Sequence, residues 1–339
     1  MLQRKTTWIG VICKVVILQS LIAQPKQQVR FNNFGHIPNM PTQEIYALTQ
    51  DSLGFIWIGS TDGLYKLDAA NNIQIFKKND PVIEGGIASS AIRALYVDSK
   101  NNLWIGTTAG GLTKYHQPTN EWTTFQSIPS DDTSLSNNDI LSILEDSKGR
   151  IWVGTEYGLN LFQPETNSFI RFLPNVKDKQ ALQARAVLSI LEDHQQRIWI
   201  SNWGGGIHLF LPNEEGDISK STFRQFYPTA DKATHNVWTI YQDKSLRYWL
   251  ATIGGGLFLM DLPEAATNVP TKQDWTPTFT NFRHEEEDTN SLSSNLVHSV
   301  IEDKRGYLWI ATINGLNRII TQGNSKDQGN KNQFDKVFI

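Results

Sequence analysis

Six tryptophans, Trp57, Trp104, Trp152, Trp199, Trp249 and Trp309, each stand six residues after an aspartate, and side chains of varied chemistry recur at fixed distances from these pairs. Four and five residues after each tryptophan come Thr61-Asp62, Thr108-Ala109, Glu156-Tyr157, Trp203-Gly204, Ile253-Gly254 and Ile313-Asn314. Five residues before each aspartate come Tyr46, Arg93, Leu141, Leu188, Trp238 and His298. The surrounding pattern is constant while these two series vary, so binding chemistry is expected in them. Aromatic rings stack on C–H faces, and carboxylates and amides bond hydroxyls, a mixture that suits a polar ligand with apolar ring faces, such as a sugar. The candidate ligand-binding residues are Tyr46, Asp62, Arg93, Glu156, Tyr157, Trp203, Trp238, His298 and Asn314.

Catalytic alternatives are thinner. Glu44, Asp62 and Glu156 could supply pore carboxylates of the kind a glycosidase or lyase uses. The run His284-Glu285-Glu286-Glu287-Asp288 places a histidine beside acids, as a kinase phosphoacceptor does, but in a loop without the long amphipathic helix such a site needs. No HExxH, GxSxG, P-loop or kinase glycine motif is present, and no lysine follows the triple glycines at 204–206 and 254–256, which read as turns. No catalytic residue, metal site or cofactor is therefore expected. With 31 basic against 34 acidic residues the formal charge is −3, which leaves no basic surplus for a phosphate backbone.

The elements that carry these residues follow from the repeat. Successive motif tryptophans are 47, 48, 47, 50 and 60 residues apart, and a glycine follows each by six, at Gly63, Gly110, Gly158, Gly205, Gly255 and Gly315. A period of about 40 to 50 residues with four short strands per copy denotes a β-propeller blade. In the third copy the strands are expected at 140–145, 150–154, 159–162 and 168–172, with Asp146-Ser-Lys-Gly149 as a tight hairpin. The loops after the second strand and those entering the next blade then share one face, which gathers the two variable series on one rim. The fold expected is all-β: four-stranded antiparallel blades over 28–339, with the motif tryptophans between blades. Outer-strand candidates are seven, Gln28 to Phe34, Ile73 to Lys78, Glu121 to Gln126, Ser168 to Phe172, Thr222 to Tyr227, Thr278 to Arg283 and Gln333 to Ile339, against six inner units. This count predicts a truncated seven-bladed ring, prone to self-association through its open gap; irregular closure of six blades is the alternative.

Residues 1–23 read as a signal peptide, with Arg4 and Lys5 ahead of the apolar stretch Trp8 to Ile22 and Ala23 at the cleavage point; an uncleaved anchor is the alternative. Cleavage there removes Cys13, the single cysteine, and leaves no thiol for a disulfide or a metal.

The pattern of Gln/Glu-Asp, Gly-Phe-Ile-Trp-Ile-Gly-Ser/Thr and Gly-Leu, clearest at Gln50 to Tyr65 and Glu145 to Leu161, resembles the two-component regulator propeller repeat, as does Asn290-Ser-Leu-Ser-Ser-Asn295. The resemblance implies the periplasmic sensor of a hybrid two-component system, often responsive to oligosaccharides, with a membrane helix, histidine kinase and output regions downstream that are absent here. The expected function is ligand sensing without catalysis; a propeller enzyme and a protein-binding scaffold are the competing readings.

Overall fold

Each motif aspartate closes the hairpin that it begins. Oδ1 of Asp146 accepts the N–H groups of Lys148 and Arg150, both at 3.0 Å, while Gly149 takes the left-handed φ of 74° that the turn requires. Oδ2 accepts the indole N–H of Trp152 at 2.7 Å, which buries the ring beside its own turn. The sixfold Asp-to-Trp spacing is the reach of that bond.

The computed structural model describes residues 37–41, 44–78, 86–263, 266 and 275–320, with the backbone alone at 320 and 334–337. The expected signal segment and the Gln28 to Phe34 strand lie outside the described residues. Six four-stranded antiparallel sheets follow one another along the chain. The first holds β1 (Ile45–Gln50), β2 (Ile56–Ser60), β3 (Leu64–Leu67) and β4 (Ile73–Phe76). The second holds β5 (Ile92–Val97), β6 (Asn102–Thr107), β7 (Leu112–His116) and β8 (Glu121–Phe125). In the third are β9 (Ile140–Glu145), β10 (Ile151–Thr155), β11 (Gly158–Gln163) and β12 (Ser168–Phe172). The fourth contains β13 (Val187–Glu192), β14 (Ile198–Asn202), β15 (Gly206–Leu211) and β16 (Thr222–Phe226). The fifth contains β17 (Val237–Gln242), β18 (Tyr248–Thr252), β19 (Gly256–Asp261) and β20 (Thr278–Phe282). The sixth is β21 (Val297–Glu302), β22 (Tyr307–Thr312), β23 (Gly315–Ile320) and β24 (Phe334–Val337). Two 3-10 turns, Ile218–Lys220 and Lys232–His235, lie in the loops. This is a β-propeller of six described blades.

Blades are joined by apolar layers, because a four-stranded sheet has two faces and cannot cover both alone. Trp152, Leu159 and Phe172 of the third blade pack on Val187, Ile198, Ile200 and Phe210 of the fourth, all buried. Equivalent layers join each blade to the next. Polar latches accompany them at the hairpin end. Glu145, last in β9, accepts the N–H and hydroxyl of Ser99 in the preceding blade at 2.6 and 2.7 Å, and Glu192 holds Ser147 in the same way. Gln242 takes the N–H of His194, and Glu302 that of Lys244. In the first blade the equivalent residue, Gln50, bonds its own turn at the carbonyl of Gly54.

The packing that joins each innermost strand to the next is not repeated between β21 and β1. Ile92, Ile140, Val187, Val237 and Val297 are fully buried at the start of their strands, whereas Ile45 is 45% exposed and Leu48, further along β1, 65%. Five motif tryptophans are buried and Trp309 only partly so. Among the described residues, the first and sixth blades thus each carry exposed apolar side chains on the face that turns away from their one neighbour.

One expectation is corrected by the register. Counting six residues from each tryptophan makes Gly110, Gly205 and Gly255 equivalent to Gly158, but the matching glycines are Gly111, which immediately precedes β7, and Gly206 and Gly256, which open β15 and β19. These three turns are one residue longer. The physical constraint is the carbonyl ending the fourth strand: a Cβ on Gly111, Gly206 or Gly256 would lie 2.2 to 2.3 Å from the oxygen of Phe125, Phe226 or Phe282.

Candidate functional site

Every innermost strand carries a β-bulge after its first residue. In β1, Ile45 pairs with Ser60 and Ala47 with Gly59, so Tyr46 is left over. The same slip leaves over Arg93, Leu141, Leu188, Trp238 and His298. A bulge residue escapes strict alternation and is re-aimed, which is how strand ends present side chains to ligands. These six are the series that precedes each aspartate by five.

The second series is fixed beside the first by one repeated hydrogen bond. The N–H four residues after each motif tryptophan donates to the carbonyl two residues before the bulge: Thr61 to Glu44, Thr108 to Ala91, Glu156 to Asp139, Trp203 to Ala186, Ile253 to Asn236 and Ile313 to Leu296, at 2.9 to 3.2 Å. Loop and bulge therefore emerge at the same end of each blade.

The side chains form two groups. On blades four to six, Trp203 meets Trp238 edge-to-face at 6.2 Å and Trp238 meets His298 at 5.4 Å, an aromatic arc in which Trp203 is 50% exposed. On blades one and two, the Arg93 guanidinium lies 5.0 Å from the Tyr46 ring centre. The Tyr46 hydroxyl donates to Glu44 at 2.5 Å, and this bond leads in raising the phenol pKa. Leu141 and Leu188, half-buried, stand between the groups. Tyr157 lies under Arg185, 4.9 Å from its ring centre, and Glu156 is exposed beside it.

The remaining candidates have local duties. Asp62 accepts from Ser60 at 2.6 Å and Tyr65 at 2.8 Å and faces Lys77 at 3.7 Å; the Ser60 bond leads in lowering its pKa, while burial and Asp62 push Tyr65 up to about 12. Asn314 bonds Thr312 through its N–H and reaches the Ser293 carbonyl at 3.5 Å. The carboxylates Glu44, Asp62 and Glu156 share no hydrogen-bond partner, and no group of three His, Cys, Asp or Glu able to hold a metal occurs among the described residues.

Sequence reasoning missed Arg185 and His208. Arg185 lies outside both series, in the loop entering β13, and a charged residue there at the rim was its signal. His208 replaces an asparagine: in blades three and six, Oδ1 of Asn160 and Asn317 accepts the N–H of Ser136 and Ser293 at 2.9 Å. In blade four His208 Nε2 accepts from Gln183 N–H at 3.2 Å, Nδ1 finds no partner among the described residues, and burial pushes the imidazole down to about 3.

The two component regulator propeller model matches residues 39–62, 86–109, 134–157 and 291–314. Each span covers an innermost strand, its bulge and the loop tied to it, in blades one, two, three and six; the indoles of the arc stand in blades four and five. A curated relative, Histidine kinase P4 of Formosa agariphila, is 29% identical over an alignment of 134 residues that covers 35% of this chain and 10% of that protein. The crystal structure of the extracellular domain of a hybrid two component system from B. thetaiotaomicron superposes with a TM-score of 0.57 at 22% identity, over 82% of this chain and 40% of that one. Virginiamycin B lyase from Staphylococcus aureus superposes equally, at 0.57 and 13% identity, over 87% and 84%. The chain spans less than half of the kinase and of the two-component protein, and the structural likenesses establish the fold. Among the described residues no helix is long and apolar enough to cross a membrane. Four of the six described blades, the first, second, third and sixth, thus carry two component regulator propeller repeats.

Proposed function

We propose that the chain is the ligand-sensing propeller of a hybrid two-component system, that it works outside the cytoplasm, in the periplasm, and that it holds an oligosaccharide at the ring of bulges. The observation that carries the reading is the aromatic arc. Trp203, Trp238 and His298 come from three blades, are held by bulges and tied loops, and leave ring surface exposed at the blade end that also carries the hydroxyl-bonding Glu156 and Asn314. Such rings offer a flat apolar surface at little entropic cost, which suits sugar faces. The repeat family and the extracellular two-component relative support the signalling role.

The test is binding of an oligosaccharide panel to the purified chain, read by melting temperature and calorimetry. A binder should raise the melting temperature, and Trp238→Ala or Trp203→Ala should weaken it by about 1 to 3 kcal/mol, the range known for aromatic stacking on nucleic-acid bases. Unchanged affinity in both variants would move the site elsewhere. The likeness to a lyase keeps an enzymatic reading in view, and turnover of a bound oligosaccharide would favour it over sensing.

A further inference from the structure

Most other arginines among the described residues are occupied. Arg150, Arg197 and Arg247 each aim Nε at the aspartate four residues earlier, at 2.6, 2.6 and 2.7 Å. Arg171 bonds the carbonyls of Ser134 and Leu135, and Arg283 that of Gly254. Arg93 and Arg185 differ. Each lies over a tyrosine ring, and neither has a hydrogen-bond acceptor or ion-pair partner among the described residues. Glu44 accepts the Tyr46 hydroxyl at 2.5 Å and forms no ion pair with Arg93 among the described residues. A ring beneath a guanidinium fixes its plane and leaves its N–H edge free for the paired bonds that a carboxylate or sulfate accepts.

The ring of bulges is also uneven. In chain order it presents Tyr46, Arg93, Leu141, Leu188, Trp238 and His298: cationic on the second blade, aliphatic on the third and fourth, aromatic on the fifth and sixth. We infer that the ligand of this ring is an acidic sugar, its carboxylate or sulfate on the edge of Arg93 and its ring body toward the Leu188–Trp238 side, with Arg185 as an outer contact. This rests on the ring being the ligand site and narrows what it takes.

The test uses two matched pairs: trigalacturonate with its methyl ester, and a sulfated galactan tetrasaccharide with its desulfated form. Titrated into the full chain at low and moderate salt, the acidic member of one pair should bind roughly 10- to 100-fold more tightly than the neutral one, as a charge-assisted contact predicts, and less so as salt rises. The preferred pair identifies carboxylate or sulfate. Arg93→Gln should abolish the preference, and Arg185→Gln should reduce it less. Equal or tighter binding of the neutral members, or a preference that survives Arg93→Gln, would overturn the inference and leave the sensing site standing. Binding of no member of either pair would overturn the inference, and loss of all binding across the wider oligosaccharide panel would remove the sensing site as well.

Discussion

Trp199 donates its indole N–H to Asp193 at 2.8 Å, and the same carboxylate oxygen accepts Arg197 Nε at 2.6 Å and the hydroxyl of Tyr248, from the next blade, at 2.9 Å. All six motif pairs share the indole bond, at 2.7 to 3.0 Å. At Asp193 one buried group fastens its own turn, its own tryptophan and the neighbouring sheet. Burial alone would raise this carboxyl; the Trp199 bond and Arg197 outweigh it and hold the pKa low.

Asp193→Ala should therefore destabilise the chain by about 3 to 5 kcal/mol, the cost of breaking a buried, hydrogen-bonded charge pair. Urea denaturation is the measurement. A loss under about 1 kcal/mol, the size of a surface ion pair, would show that the network contributes little.

Truncating the motif tryptophans should be unequal. Trp152 is fully buried between two blades, so Trp152→Ala should cost about 3 to 5 kcal/mol. Trp309 is only partly covered, and Trp309→Ala should cost less than half of that. Equal shifts in the midpoint would mean that Trp309 is covered as well as the others.

His208 gives the chain an acid-sensitive point. Its folded pKa, about 3, lies below the ordinary 6.5, so between these values the unfolded chain binds a proton that the folded chain does not. The stability contributed by neutral His208 is complete above pH 6.5 and is lost as pH falls toward 3. His208→Asn, which copies blades three and six, should flatten this part of the stability profile between pH 6.5 and 4; an unaltered slope would exclude His208 as its source.

The apolar side chains exposed on the outward faces of the first and sixth blades should make the isolated chain associate. Leu48, 65% exposed, and Ile301, 60% exposed, lie on them. In sedimentation the 339-residue chain should show concentration-dependent oligomers, and Leu48→Lys with Ile301→Lys should shift it toward monomer. A chain that is monomeric at all concentrations would disprove association through these faces.

Local features were legible in the residues alone. Asp146, Gly149 and Trp152 lie within seven residues, so their spacing specified the hairpin, the indole bond and, repeated six times, the propeller. It also marked the two variable series, because positions free to change stand out against a pattern that packing holds constant. How those positions meet depends on contacts between blades. Trp238 and His298 are 60 residues apart and touch because bulges in two adjacent innermost strands turn both side chains the same way, and a bulge is a register between strands that no single strand encodes. The same holds for Arg93 over Tyr46, for the burial of His208, and for Gly154, where a Cβ would stand 2.6 Å from Val187 of the next blade. Each depends on how closely one blade approaches another, which is set by the fit of whole sheets.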